Sequence, residues 1–260
     1  MADRLVSVLR RIAAGGIAGA IAGVVVAGVG GRIVMRAAAV LNPQATGART
    51  ENGELVGAIT LNGTVALLLF SGLLTGVVAG IVWVVVSRWL PGGRWRLLAG
   101  AVAAAAIGGP LLIRSDNVDF RILEADGPIL AMLIALVAVL GLAIAWLDEQ
   151  LDRRLPRPGG RRLALGLVYG AITLLGLLVL PLAIGFYLSV ETSGMRDPAQ
   201  AVGWALVVAG LATAVAWAVH VRSGLPDPPA AVAAVGRVAL MAAVILGTVR
   251  VADHVIRILG

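Results

Sequence analysis

The 260-residue chain contains no cysteine and no lysine, and only two histidines. Without cysteine there is no disulfide framework, thiol nucleophile, iron–sulfur ligation or CxxC redox pair. Without lysine there is no amine for a retinal Schiff base, so a seven-helix count cannot mean a rhodopsin-type pigment. All 21 basic residues are arginine; together with the abundance of Ala, Gly and Val this reflects a GC-rich genome. The two histidines, His220 and His254, fall at opposite membrane faces in the topology derived below. That excludes bis-histidine haem and HExxH-type zinc within one chain. No GxxxxGK[ST] phosphate loop occurs, and the glycine-rich first segment lacks the preceding strand of a dinucleotide fold. Ser71-Gly72 is the nearest approach to an intramembrane serine-protease motif and has no histidine partner in a span. No cofactor and no metal are expected.

Charge is scarce too, at 13% of residues against about 25% in soluble domains. The apolar fraction is 60% and the mean hydropathy +0.98. A chain this poor in polar residues cannot cover a core with a hydrated surface, and its apolar runs recur at membrane-spanning length. Seven such segments are expected, at approximately 12–31, 64–87, 97–113, 128–147, 163–188, 199–219 and 231–249. The first is longer than a signal-peptide core of about 7–15 residues and reads as a retained helix. The fold expected is an all-α, polytopic transmembrane bundle forming one domain over 1–260. Six crossings plus an interfacial C-terminal helix is the alternative.

Arginine placement orients it. Arg4, Arg10, Arg11, Arg88, Arg94, Arg96, Arg153, Arg154, Arg157, Arg161, Arg162 and Arg222 occupy alternate connections on one side. The other side holds Asp116, Asp119, Glu124, Asp126, Glu191 and Asp197. The positive side is cytoplasmic, so the N-terminus is expected inside and the C-terminus outside, in a bacterial cytoplasmic membrane. Trp83, Trp89, Trp95, Trp146 and Trp217 fall near the inner interface and Trp204 near the outer one, where indole belts form. The net charge of +7 sits in short loops and suits anionic headgroups rather than nucleic acid.

Small residues recur every four positions: Gly15, Gly19 and Gly23; Gly72, Gly76 and Gly80; Gly100, Ala104 and Gly108; Gly166 and Gly170. Lipid gives helices little hydrophobic reason to associate, so close backbone approach through such faces packs the bundle. Intramolecular packing is expected before a homodimer seam. Pro91-Gly92-Gly93-Arg94 and Pro158-Gly159-Gly160-Arg161 precede the third and fifth segments, which carry Pro110 and Pro181. This faint parallel repeat is also what any short cytoplasmic hairpin looks like.

Two constellations could carry function. Arg250, Asp253, His254 and Arg257 share one helical face at the outer end of the last segment, with Asp253 able to pair with Arg250 or Arg257. Arg32 and Arg36, one turn apart, follow the first segment. Ionisable groups at membrane depth are functional candidates, whereas arginines at helix ends snorkel to headgroups. The acidic loop from Arg114 to Asp126 lacks EF-hand order, and its carboxylates are expected to pair with Arg32, Arg36, Arg114 and Arg121.

Gly31-Arg32-Ile33-Val34-Met35-Arg36, residues 57–64 (Gly57 to Thr64) and Asp119-Phe120-Arg121-Ile122-Leu123 resemble segments of uncharacterised multi-pass membrane proteins of high-GC actinobacteria. The resemblance implies a bacterial membrane protein and no activity. Three functions remain in play. The first is a structural or accessory component whose partners are lipids, a second copy or another membrane protein. The second is a permease for a small polar or anionic solute, with an outward vestibule lined by the two constellations. The third is an enzyme acting on lipid headgroups through His254 and a carboxylate such as Asp119 or Glu124.

Overall fold

The structure, a computed structural model, describes residues 2–50, 53–124, 126–157, 162–189, 208–216, 218–219, 222 and 230–260. Among these, six helices are long and apolar enough to cross a membrane: α1 (Asp3–Leu41), α2 (Leu61–Val86), α3 (Arg94–Leu112), α4 (Asp126–Arg154), α5 (Arg162–Ser189) and α6 (Ala230–Leu259). Residues 208–216 are also helical. The first part of the sixth expected span lies outside the described residues, as do Trp204, Trp217, His220, Glu191, Asp197 and the second Pro-Gly-Gly turn.

The seam between α1 and α2 is made of backbone. Gly15, Gly19 and Gly23 lie antiparallel to Gly80, Gly76 and Gly72. A methyl group on Gly15 would sit 2.7 Å from the Gly80 oxygen, and one on Gly19 would fall 2.8 Å from the Gly80 Cα and overlap the Gly76 carbonyl. The reverse also holds: Gly76 and Gly80 face the carbonyl oxygens of Gly19 and Gly15. The glycine Cα–H bonds thus point at carbonyl oxygens across the seam, a contact worth about 0.5–1 kcal/mol each. Where lipid supplies no hydrophobic drive, these contacts and dispersion hold the pair.

Both helices widen to π geometry at the same depth, over Gly23–Gly30 in α1 and Leu67–Leu74 in α2. A π turn bonds i to i+5. The residue after Gly23 that faces α2 is accordingly Gly28, five positions on, buried against Leu68.

The same economy builds the rest. Gly141 of α4 meets the Gly100 carbonyl and the Ala104 methyl of α3, and Gly108 meets Val137. Gly247 of α6 lies against the Ala106 carbonyl and Gly109 against Val251, so α3 and α6 run parallel. Gly166 and Gly170 place α5 beside Val6 and Leu9 of α1. The expected glycine and alanine faces are intramolecular contacts in each case.

Three helix bounds and the setting of two tryptophans differ from expectation. Helix α1 reaches well beyond 12–31 at both ends, α4 runs on to Arg154, and α6 runs on to Leu259. Most charged residues inside these extensions are paired or exposed rather than helix-ending, and Arg250 is half-buried. Trp83 and Trp89, expected at the headgroup level, are instead 7% and 5% exposed. The Trp83 ring fills the space above Gly100, and the Trp89 indole covers Gly236. Trp95 and Trp146 do face outward.

Candidate functional site

Polar groups gather at the two ends of the bundle. At the N-terminal end α4 presents Asp148 and Asp152, one turn apart, to α1. Asp148 is 1% exposed. Its Oδ2 accepts from the Arg11 guanidinium at 3.0 Å and from the Trp83 indole N–H at 3.0 Å, while its Oδ1 is buried without a partner. Arg10, itself buried, donates Nη1 to Asp152 Oδ1 at 2.9 Å, Nη2 to the Asp152 carbonyl and Nε to the Leu155 carbonyl at 3.4 Å. Arg11 also approaches Asp152 at 3.5 Å. Arg96, at the start of α3, donates to the buried Ser87 carbonyl at the end of α2 at 2.9 Å. Four helices are therefore pinned at one level by two carboxylates and three guanidinium groups.

None of these residues stood out in the sequence as a site. Arg10 and Arg11 read as topology signals and Trp83 as an interfacial anchor, while Asp148 lies just past the expected span 128–147 and drew no reading. The available signal was the i,i+4 spacing of Asp148 and Asp152, which puts both acids on one face of α4.

At the opposite end, Asn42 is fully buried at the end of α1. Its amide donates to the Ala38 carbonyl at 2.8 Å and its Oδ1 accepts from the Glu124 backbone N–H at 2.7 Å. That ties the loop after α3, which includes the one-turn helix Asp119–Ile122, to the end of α1. Phe120 and Ile113 close the cap against Ala38, Ile129 and Leu130, with Val251 and Val255 of α6 packed alongside.

His254 is 4% exposed. Its Nδ1 accepts the Ser115 backbone N–H at 3.2 Å, and the Ser115 hydroxyl stands 3.2 Å from the same nitrogen. Its Nε2 is buried without a partner.

The six residues singled out from sequence do not converge. Arg32 donates to the Thr64 hydroxyl at 2.8 Å and the Thr60 carbonyl at 3.4 Å, at the first turn of α2, where an acid of the outer loop was expected. Arg36 is exposed. Asp253 pairs with Arg257 at 3.1 Å on the outer side of α6, as the i,i+4 spacing implies, and Arg250 is half-buried one turn before His254. His254 turns inward to Ser115, the Glu124 backbone is bound to Asn42, and the Arg114 guanidinium takes Asp116 at 3.1 Å. Among the described residues no group of three His, Cys, Asp or Glu side chains could hold a metal ion.

Comparison of the chain with protein-family models, with curated proteins and with solved structures gives no match. The fold and these side-chain arrangements define the class, a polytopic α-helical membrane protein.

Proposed function

We propose that the chain is a seven-span protein of a bacterial cytoplasmic membrane, N-terminus inside, serving as a structural or accessory component of that membrane. Helix α5 starts at the N-terminal end of the bundle, where the Tyr169 hydroxyl donates to the Pro156 carbonyl. Helix α6 starts at that same end, with Gly236 under Trp89. Two outward helices in succession require a return crossing between them, and Ala209, packed with Trp89 and Leu240, supports one there. The arginine-rich connections share the N-terminal end.

The observation that carries the accessory reading is the separate anchoring of the charged residues. A solute vestibule needs Arg32, Arg36, Arg250, Asp253 and His254 around one space. Instead Arg32 is engaged by α2, His254 by Ser115 and Asp253 by Arg257. Arg36 and Arg257 extend outward, where snorkelling guanidinium groups reach lipid phosphates. The permease remains the second reading on one ground, because π turns often mark functional sites and here two face each other.

Because the chain lacks cysteine, single cysteines report sidedness cleanly. Ile59→Cys should react with an impermeant maleimide in spheroplasts, and Arg153→Cys only after permeabilisation; the reverse pattern would invert the topology. Proteoliposomes holding the purified chain should show no flux across a panel of small ions. Flux that falls tenfold in Arg32→Ala or His254→Ala would replace the accessory reading with the permease.

A further inference from the structure

The His254–Ser115 contact has a protonation state built into it. A ring nitrogen that accepts an amide N–H uses its lone pair to do so and carries no proton. Nδ1 accepts from the Ser115 amide, so His254 is neutral and its single hydrogen sits on Nε2, the atom buried without a partner. A second proton can only go to Nδ1. There it would meet the Ser115 N–H donor to donor, and that bond cannot survive. The Ser115 hydroxyl, 3.2 Å away, is the one group at the contact able to turn its lone pair toward a new Nδ1–H.

We propose that His254 and Ser115 form a proton-operated latch that fastens the turn at 113–118 to the outer end of α6 and lets its backbone go when the imidazole is protonated. Two features give the latch mechanical meaning. The turn joins α3 to the loop that Asn42 ties to α1, so the Ser115 amide adds a hydrogen bond to the apolar contact of α6 with the cap. The parallel packing of α3 on α6, through Gly247 and Gly109, continues up to this contact. The charged groups around the ring are Arg250, Asp253 and Arg257 on α6 and Asp116 on the turn. Arg114, also on the turn, is bonded to Asp116. Three guanidinium groups and two carboxylates thus surround the ring, and an imidazolium there would have the carboxylates of Asp253 and Asp116 to face. Histidine is the side chain whose charge ordinarily changes between about pH 5 and 8.

The latch is independent of membrane orientation and of the accessory reading, so its test is separate. Hydrogen exchange, corrected for the intrinsic pH dependence of amide exchange, is measured by mass spectrometry on the full chain in nanodiscs at pH 8 and pH 5. Protection of the peptide covering 113–119 should fall about tenfold or more at the lower pH in the wild type, since freeing one anchored amide opens a local unit. In His254→Asn the side-chain oxygen replaces Nδ1 as acceptor and does not titrate, so protection there should be the same at both pH values, whatever its level. His254→Ala should leave the peptide weakly protected at both. Wild-type protection that does not change with pH, or an equal fall in His254→Asn, overturns the proposal.

Discussion

Asp148 shows how much a single side chain can decide at membrane depth. Its carboxylate is what the Arg11 guanidinium and the Trp83 indole have in common. Removing one partner of a fully buried pair costs about 3–5 kcal/mol. The Arg11 side chain keeps 21% exposure, which moderates that. Asp148→Ala should therefore lose about 2 kcal/mol of stability, read as a lower midpoint of thermal unfolding in detergent. Asp148→Asn keeps an acceptor for the indole and should lose less. Asn42→Ala strands the Glu124 amide and should cost about 1–3 kcal/mol, with faster exchange confined to the cap. Neither residue was legible as important in the sequence. A buried Asp at the end of an apolar run looks the same as a hydrated one, because periodicity along one helix does not say which helix will face it. Trp83 misled for the same reason: indole suits both a headgroup belt and a buried donor.

At the scale of the element the sequence said more. Four-residue glycine spacing marked the faces of α1 and α2 correctly, since a face of hydrogen atoms has one efficient use in lipid, close approach of another backbone. Glycines three positions apart then behave differently. Gly19→Ala would drive a methyl into the Gly76 carbonyl, whereas Gly16→Ala meets nothing nearer than Ile81 at 3.9 Å. Gly19→Ala should cost about 1–3 kcal/mol or more, and Gly16→Ala should be neutral or slightly stabilising, compared by the recovery of monodisperse protein after heating. The helix ends were less legible than the faces. Hydropathy stops at the first charge, but Arg10 and Arg11 are neutralised across the bundle by Asp152 and Asp148, and α1 continues through them. The π turns were missed as well, although the step from Gly23 to Gly28 in a series otherwise spaced by four was their trace.

At the scale of the whole molecule, polar fastening among the described residues gathers at the ends and the middle is held by backbone contact. The N-terminal end joins α1 through α4 by ionic and indole bonds. The far end closes with a cap tied to α1 by Asn42 and to α6 by His254. The two fastenings share no residue and lie at opposite termini of the same helices, so their energies should be independent. Asp148→Ala combined with Asn42→Ala should lose the sum of the single losses to within about 0.5 kcal/mol. A larger shortfall in the thermal midpoints would mean that strain passes along the glycine seam from one end to the other.

That seam raises a problem of alignment. A ladder of glycines every four residues is nearly self-similar under a slide of one rung, roughly 6 Å at 1.5 Å per residue, and the seam positions Gly15, Gly19 and Gly23 themselves carry no side chain to resist the slip. The five-residue step at the π turns ends the self-similarity. Gly28 meets Leu68 in only one alignment, and Arg32 reaches Thr64 in that same one. The widened turns therefore act as an indexing notch, giving two otherwise interchangeable rungs a single setting.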